Sequence, residues 1–316
     1  MCDNEVKEKF INPFTDFGFK NIFGEEANKD LLIDFLNELL RSQNQQIKDL
    51  VFKKNEKLGN SGLDRNVVFD LFCENDKGEK FTVELQKAKQ TFFKDRMLYY
   101  SSFSIQEQGL KGDWNYQLKA VYVIGILDFI IDESNKEKIV VSKNKIMDIE
   151  RSKIFYDKLT FITIQMPNFT KNENELETNF DKWLYVIKNL KHLERIPERL
   201  QTKIFEKLFN TASYFALSKE DKFIYEESLK YYNDLKNSLD TAFDDGKEEK
   251  EKELIPIIEE ERRQKEEERR QKEEERRQKE EERRQKEEER NLRIEKELEI
   301  TKLLEKIEEL NKNKIL

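Results

Sequence analysis

The sequence predicts an α/β fold, in which a mixed sheet flanked by helices is followed by a helical subdomain and a long charged single helix. Apolar runs on either side of the turn-forming stretch NDKGE predict a β-hairpin that lies between two helical patterns. The near-continuous β-branched run AVYVIGILDFII is typical of a strand buried on both faces. A perfect seven-residue repeat of charged residues and glutamine follows later in the sequence and predicts a solvated helix.

The composition changes along the 316 residues, because the charged fraction of 40% is concentrated towards the C-terminal end. Residues 1–246 have the aromatic and aliphatic content of a globular protein, whereas Glu, Arg, Lys and Gln predominate from Lys247 onward. We predict three regions: residues 1–168 as the α/β domain, residues 169–246 as the helical subdomain and residues 247–316 as the charged helix with a short amphipathic tip. The formal net charge of −8 neither supports nor excludes DNA as a partner.

Two cysteines, Cys2 and Cys73, are too few for a disulfide framework or a thiolate zinc site. The N-terminal residues lack the basic-then-apolar order of a signal peptide, and the longest apolar run is too short to span a bilayer. We therefore predict a cytoplasmic protein with no membrane partner.

Helical and strand patterns alternate along the first part of the chain. Asn12 is a candidate helix N-cap and Pro13 suits the first helical turn, while residues 29–41 form a second amphipathic pattern. The predicted strands lie within residues 47–55, 64–75, 79–88, 119–131 and 158–169. Residues 92–110 predict a long helix after the hairpin, and the residues beyond 175 show helical patterns with no strand signal.

Two acidic residues and an amide lie on the predicted hairpin among apolar neighbours. Glu84 and Gln86 share one face of their strand, opposite Val83 and Leu85. Folding the hairpin brings Asp70 beside Glu84, and the sequence defines the register of the two strands to within one residue. Like charges side by side in a sheet are destabilising unless a cation neutralises them, and two carboxylates with the main-chain carbonyl of Leu85 suit Mg²⁺. The alternative is a hairpin face that carries polar residues only because it is exposed to solvent.

Phosphodiester hydrolysis is a reaction that needs such a metal site. A bound Mg²⁺ lowers the pKa of an attacking water and balances the charge of the transition state. Gln86 would then orient that water or a phosphate oxygen, but a neutral amide cannot supply positive charge.

Several blocks of the sequence resemble the PD-(D/E)xK nuclease superfamily, and within it the Rpn family of recombination-promoting nucleases and transposases. The blocks are NPFTDFGFKNIFG, FDLFCENDKGEKFTVELQ, RMLYYSSFSIQEQG, YVIGILDF, KLTFITIQMPNF and DKWLYVIKNL. The resemblance covers roughly residues 10–245 and implies a restriction-endonuclease-like fold for residues 1–168. It also implies a Mg²⁺-dependent DNA endonuclease that acts in recombination, on mobile elements or in defence against foreign DNA.

The same resemblance assigns residues to the site. Asp70 matches the aspartate of the motif, Glu84 its second acid, and Gln86 the position at which the wider superfamily has lysine; the Rpn group is similar in having glutamine there. Asp16 lies in the first helix, where such nucleases bring a third acid to the metal, and the alternative is a first-turn aspartate favoured by the helix dipole. Lys20 could replace the motif lysine, and the alternative is an ion pair with Asp16 four residues earlier.

Basic and aromatic residues follow the hairpin carboxylates. By the resemblance, Arg96 and Tyr99 share a face of the next helix that borders the site, where they could bind DNA phosphates; an aromatic at helical spacing is more often part of a core. Lys87 and Lys89 point away from Glu84 if the strand continues. We therefore consider them only as candidate contacts to the DNA backbone.

The unit ERRQKEE repeats without change from Glu261 to Glu288 and has no apolar position, so it offers no coiled-coil seam. Acidic residues precede basic residues by four positions throughout, as in Glu266 and Arg270, and each such pair contributes about 0.2–0.5 kcal/mol. The repeat therefore predicts a solvated single helix. Apolar residues return beyond it at spacings of three and four: Ile300, Leu303, Ile307 and Leu310. Two heptads are short for a coiled coil, so homo-oligomerisation through this tip is left open.

Three functions are compatible with these observations. The first is a Mg²⁺-dependent DNA endonuclease with Asp70 and Glu84 as metal ligands. The alternative is a catalytically weak, nuclease-derived DNA-binding or regulatory module with a helical interaction tail, because no lysine stands at the motif position after Glu84. The third is a scaffold whose helical tail is the functional part. The blocks that resemble the nucleases favour the first function.

Overall fold

The computed structural model describes residues 8–41, 46–53, 56–57, 67–109, 115–132 and 137–312. Two compact units divide the chain, residues 1–240 and residues 241–316. The helices are α1 (Asp16–Phe23), α2 (Lys29–Leu40), α3 (Phe93–Gln106), α4 (Asn179–Asn189), α5 (Lys203–Thr211) and α6 (Lys219–Lys312). The strands are β1 (Leu50–Phe52), β2 (Glu56–Lys57), β3 (Val67–Val68), β4 (Leu71–Asn75), β5 (Lys80–Gln86), β6 (Val121–Leu127), β7 (Val141–Asp148) and β8 (Lys153–Gln165).

Six strands form one mixed sheet in the order β1-β4-β5-β6-β8-β7, which with its flanking helices confirms the predicted α/β class. β4 and β5 form the predicted antiparallel hairpin, whereas β5, β6 and β8 run parallel to one another. At one edge β1 pairs antiparallel with β4, and at the other edge β7 pairs antiparallel with β8. β2 and β3 form a separate two-stranded sheet. Every residue of β6 is buried, as its β-branched sequence predicts.

The edge strand β7 has no counterpart among the predicted strands. Its polar residues Lys143, Asn144 and Lys145 are typical of a loop when they are considered as sequence alone. Because an edge strand has only one neighbour, it tolerates such side chains, and lysine there discourages pairing with another chain. A turn that contains Ser152 at a positive φ of 52° leads from β7 into β8.

The two faces of β5 enter different environments because its side chains alternate. The main hydrophobic core, to which α1, α2, α4 and α5 also contribute, takes Phe81, Val83 and Leu85. α3 covers the other face, where Thr82 Oγ1 lies 3.5 Å from Ser104 Oγ. Glu84 and Gln86 share this covered face and are only 3% and 7% exposed. The alternative of a solvent-exposed hairpin face is therefore wrong.

α4 buries one face, on which Trp183, Val186 and Ile187 are nearly inaccessible to solvent. The indole of Trp183 packs against aromatic rings of α1, α2 and α5 at centroid distances of 5.1–5.8 Å, and its N–H donates to Asp34 Oδ2 at 2.7 Å. This packing joins the helices that precede the sheet in the sequence to the helices that follow it. The predicted region boundaries after residues 168 and 246 stay predictions.

The start of α1 differs from the expected cap. The helix begins at Asp16, and Thr15 caps it by accepting a hydrogen bond from the Gly18 N–H at 2.9 Å. Asn12 instead accepts the Phe14 N–H at 2.9 Å and forms a tight turn before the helix. Gly18 is required there, because a Cβ atom would lie only 2.1 Å from the Asn12 carbonyl oxygen.

α6 carries the seven-residue repeat as helix, and the repeat residues are exposed wherever their side chains are described. Expected acid–base contacts form in the repeat, among them Glu266–Arg270 at 3.9 Å, Glu268–Lys272 at 3.8 Å and Glu273–Arg277 at 3.6 Å. The apolar tip between residues 300 and 310 is helical, but its side chains lie outside the described residues. In the part of the chain that the structure describes, no helix is long and apolar enough to cross a membrane.

Candidate active site at the end of the central hairpin

The register of the hairpin brings Asp70 and Glu84 together, and we call them the carboxylate pair. Leu71 is opposite Val83, so Asp70, one residue before β4, faces Glu84 on β5. The Asp70 N–H donates to Glu84 Oε1 at 3.3 Å, and the Leu85 N–H donates to Asp70 Oδ2 at 2.6 Å. Each carboxylate is therefore fixed by a main-chain N–H of the opposite segment.

The carboxylate pair has raised pKa values. Burial raises the pKa of Glu84 to about 8, the nearby Asp70 charge adds to the rise, and Arg96 opposes it. Burial also raises the pKa of Asp70, against the lowering effect of the hydrogen bond from the Leu85 N–H. The ionised forms of both carboxyls are thus disfavoured in the absence of a ligand, and strongly shifted pKa values are a common property of functional sites.

Arg96 on α3 reaches the carboxylate pair from above the sheet. Its Nη2 donates to Glu84 Oε2 at 3.2 Å, and its Nη1 donates to Gln90 Oε1 at 3.2 Å. The guanidinium carbon lies 4.9 Å from the centroid of the Tyr100 ring, a cation–π distance. Arg96 therefore borders the site as expected, and its side chain is held on three sides.

The aromatic residue beside the guanidinium is Tyr100, whereas Tyr99 was expected there. The Tyr99 ring is exposed and packs edge-on against Phe103 at 5.1 Å. The spacing of four residues from Arg96 to Tyr100 is the sequence signal that identifies the contact, since residues four apart share a helix face. DNA binding by Tyr99 stays a prediction.

Gly125 in β6 is the register partner of Glu84 in β5, and it allows α3 to approach the sheet at this point. A Cβ atom on Gly125 would lie 3.0 Å from Phe93 Cζ and 3.2 Å from Leu127 Cδ2. The missing side chain leaves this space to Phe93, in the first turn of the helix that carries Arg96. Sequence reasoning missed this role, because nothing in the β-branched run distinguishes a packing glycine from a bulge.

Asp16 and Lys20 lie on α1, close enough for their charges to act on Asp70. Asp16 raises and Lys20 lowers the pKa of that carboxyl. Lys20 Nζ also forms the expected ion pair with Asp16 Oδ2 at 3.0 Å, with both side chains substantially exposed. Among the described residues, no group of three or more His, Cys, Asp or Glu side chains is arranged to hold a metal ion. A third metal-binding acid at Asp16 stays a prediction.

β5 ends at Gln86, whose main-chain oxygen accepts the Asp128 N–H at 2.9 Å. The residues that follow are outside the strand, so strand alternation does not direct their side chains. Lys87 is half-buried and Lys89 is exposed. The condition under which Lys87 was expected to point away from Glu84, a continuing strand, is not met.

The donors of this site fit a hard divalent cation. Asp70 and Glu84 offer carboxylate oxygens, and the main-chain carbonyl of Leu85 lies between Glu84 and Gln86 in the chain. Because the pKa values of the carboxylate pair are raised, a bound cation would favour their ionised forms. Thiolate and imidazole ligands, which softer metals prefer, are not part of this group.

Comparison with known proteins identifies the family of the chain. A family model described as a PD-(D/E)XK nuclease family transposase matches residues 13–242. Searches among curated proteins and among solved structures found no significant match. The matched segment contains α1, the complete six-stranded sheet, the carboxylate pair and α3. The chain therefore belongs to the PD-(D/E)XK nuclease family transposases.

Proposed function

We propose that the chain is a Mg²⁺-dependent DNA endonuclease that hydrolyses phosphodiester bonds in recombination, on mobile elements or in defence against foreign DNA. The observation that carries this proposal is the carboxylate pair at the end of the hairpin, in which Glu84 is buried, Asp70 is half-buried and both are fixed by main-chain N–H groups. The membership of the nuclease family supports it.

Asp70, Glu84 and the Leu85 carbonyl would hold the metal. When bound, Mg²⁺ supplies a Lewis acid that activates water and stabilises charge on the phosphate. The main-chain hydrogen bonds to the carboxylate pair keep its oxygens in place before any ligand arrives, which reduces the reorganisation required during the reaction.

Arg96 and Gln86 would contact the substrate or the attacking water. The guanidinium of Arg96 is 3.2 Å from Glu84, and its planar fork suits two phosphate oxygens at once. Gln86 lies on the same covered face of β5 as Glu84, where its amide can donate to a phosphate oxygen and accept from a water.

Cleavage of supercoiled plasmid by the purified protein, with Mg²⁺ or with EDTA, tests this proposal. Asp70→Asn and Glu84→Gln keep the size of each side chain and remove its charge, while Asp95→Asn removes an exposed carboxylate from α3 as a matched control. We expect Mg²⁺-dependent cutting by the wild type and Asp95→Asn, and at least about a hundredfold loss in the two site variants. Cutting that survives both site substitutions contradicts the proposal. Parallel reactions with single-stranded DNA and RNA identify the substrate.

A second candidate is a catalytically weak DNA-binding or regulatory module with a helical interaction tail. Gln86 favours it, because a neutral amide stands where the wider pattern has a lysine. Duplex binding without cutting, unchanged in Glu84→Gln, supports this candidate over the enzyme. Homo-oligomerisation through residues 300–310 stays a prediction that sedimentation of the full chain tests.

A further inference from the structure

Three cationic side chains act on the carboxylate pair: Lys20, Lys87 and Arg96. Lys20 is ion-paired with Asp16 at 3.0 Å, and Arg96 with Glu84 at 3.2 Å. Among the described residues, Lys87 forms no ion pair within 4.0 Å. One cation beside the site therefore keeps its charge available for a ligand.

Lys87 is held close to the acidic groups by its position in the fold. It is the first residue after β5, it is half-buried, and its charge lowers the pKa of the Asp70 carboxyl. Burial lowers the pKa of the Lys87 ammonium group, and the charges of Asp16 and Asp70 oppose this by favouring its protonated form. A partly buried ammonium group without an ion pair has a desolvation cost, which an anionic ligand would offset.

Tyr231 on α6 supports the side chain of Lys87. The Lys87 Nζ atom lies 5.7 Å from the centroid of the Tyr231 ring, within cation–π range. The ring itself is 64% exposed, so it lies at the surface beside Lys87. An aromatic face stabilises the ammonium group without neutralising it, which leaves the charge for an anion.

We infer that Lys87 provides the positive charge at the scissile phosphate that Gln86 cannot provide, and that Tyr231 is the residue that positions it. This inference rests on the proposed endonuclease function. The charge is displaced by one residue from the position at which the wider pattern has lysine, and the end of β5 at Gln86 frees Lys87 from the strand geometry. Lys87 would bind a non-bridging phosphate oxygen through its ammonium hydrogens.

The hydrolysis balances without a proton from Lys87. The water oxygen bonds to phosphorus as the bond from phosphorus to the leaving sugar oxygen breaks. One water hydrogen ends on the leaving alcohol and the other on the phosphate monoester. Lys87 keeps its three hydrogens and acts only through its charge and hydrogen bonds.

The first test is the binding of a labelled duplex in EDTA, followed by fluorescence anisotropy at several salt concentrations. Lys87→Met removes the charge, and Lys77→Met removes an exposed charge in the turn of the same hairpin as a matched control. We expect Lys87→Met to weaken binding about three- to tenfold and to reduce the slope of log affinity against log salt by about one. Lys77→Met should leave both values at the wild-type level.

The second test is the single-turnover rate of DNA cleavage with Mg²⁺. We expect Lys87→Met to lower the rate about a hundredfold and Lys87→Arg to restore part of it, because Arg keeps the charge. Tyr231→Ala should lower the rate about three- to tenfold in the wild type and not at all in Lys87→Met, whereas Tyr231→Phe keeps the ring and the rate. Thermal unfolding of each variant confirms that it folds.

The outcomes separate this inference from the proposed function. If the wild type cuts DNA and Lys87→Met binds and cuts equally well, the inference about Lys87 is overturned and the endonuclease stands. If the wild type does not cut DNA, the endonuclease fails, and the binding experiment alone decides whether Lys87 contacts phosphate. Unchanged affinity and salt slope in Lys87→Met then overturn the inference as well.

Discussion

Arg96 lies against Glu84 with Nη2 and Oε2 3.2 Å apart, so a helix placed over the sheet provides the counter-charge of a buried strand carboxylate. The two ends of this pair have different environments: the Glu84 side chain is 4% exposed and the Arg96 side chain 32%. The pair therefore joins the protein interior to the surface that a substrate would approach.

Arg96→Met should destabilise the protein by about 1–3 kcal/mol in EDTA, because Glu84 then lacks its charged hydrogen-bond partner. Urea unfolding at pH 8 measures the change in the free energy of unfolding. The double variant Arg96→Met with Glu84→Gln should be more stable than Arg96→Met alone, since glutamine has no carboxyl that must take up a proton on folding at this pH. Equal stability of the single and double variants would show that the pair contributes little.

The stability of the metal-free protein should depend on pH through Glu84. Its pKa is raised from the ordinary value of 4.5 to about 8, so the folded state binds the proton more tightly than the unfolded state. This contribution to stability is complete below about pH 4.5 and is lost as the pH rises towards and through 8. We expect the free energy of unfolding in EDTA to fall over this range for the wild type, and less for Glu84→Gln. Urea unfolding at pH 5.5, 7 and 8.5 measures this difference, and a parallel fall in both proteins would rule out Glu84 as its source.

Gly125→Val should separate α3 from the sheet, because even a Cβ atom at this position lies 3.0 Å from Phe93 Cζ. We expect a loss of about 1–3 kcal/mol in stability from overpacking, together with weaker cleavage as Arg96 moves away from Glu84. Gly246→Ala is the matched control, since nothing lies within 4 Å of a Cβ atom there. The control should keep cleavage and strengthen its helix by about 0.5–1 kcal/mol. Unchanged thermal unfolding of Gly125→Val would contradict the packing role.

Pro256→Ala should strengthen α6 locally. Pro256 lies inside the helix, where it has no N–H to donate and its ring crowds the carbonyl four residues earlier. Removing it should favour the helix by up to about 3 kcal/mol at this position. Hydrogen exchange should therefore slow in the flanking segment and remain unchanged in β5 and β6 of the same full-length chain. Equal exchange rates in both proteins would show that the proline does not weaken the helix.

The sequence alone was sufficient to predict the hairpin, the buried strand β6 and the placement of Asp70 beside Glu84. Each depends on local signals: a turn between two apolar runs, a continuous β-branched run and a side-chain period of two. The salt bridge between Lys20 and Asp16 follows from helical spacing in the same way.

Features set by tertiary packing could not be predicted. The polar edge strand β7 forms because β8 offers it a free edge, and the close packing at Gly125 depends on where α3 crosses the sheet. The end of β5 at Gln86 determines where Lys87 lies, and strand boundaries are among the least certain features of a sequence pattern. The partner of Lys87, Tyr231, lies far away in the sequence and gives no local signal.

The identical units of α6 set its dimensions in fixed steps. Each seven-residue unit lengthens the helix by about 10.5 Å, and its side chains return about 20° short of two full turns. A gain or loss of one unit would therefore shift the C-terminal residues of the helix by about 10.5 Å along its axis while rotating them by only about 20°. The length of this helix can change by whole units with little effect on the direction in which its last residues face.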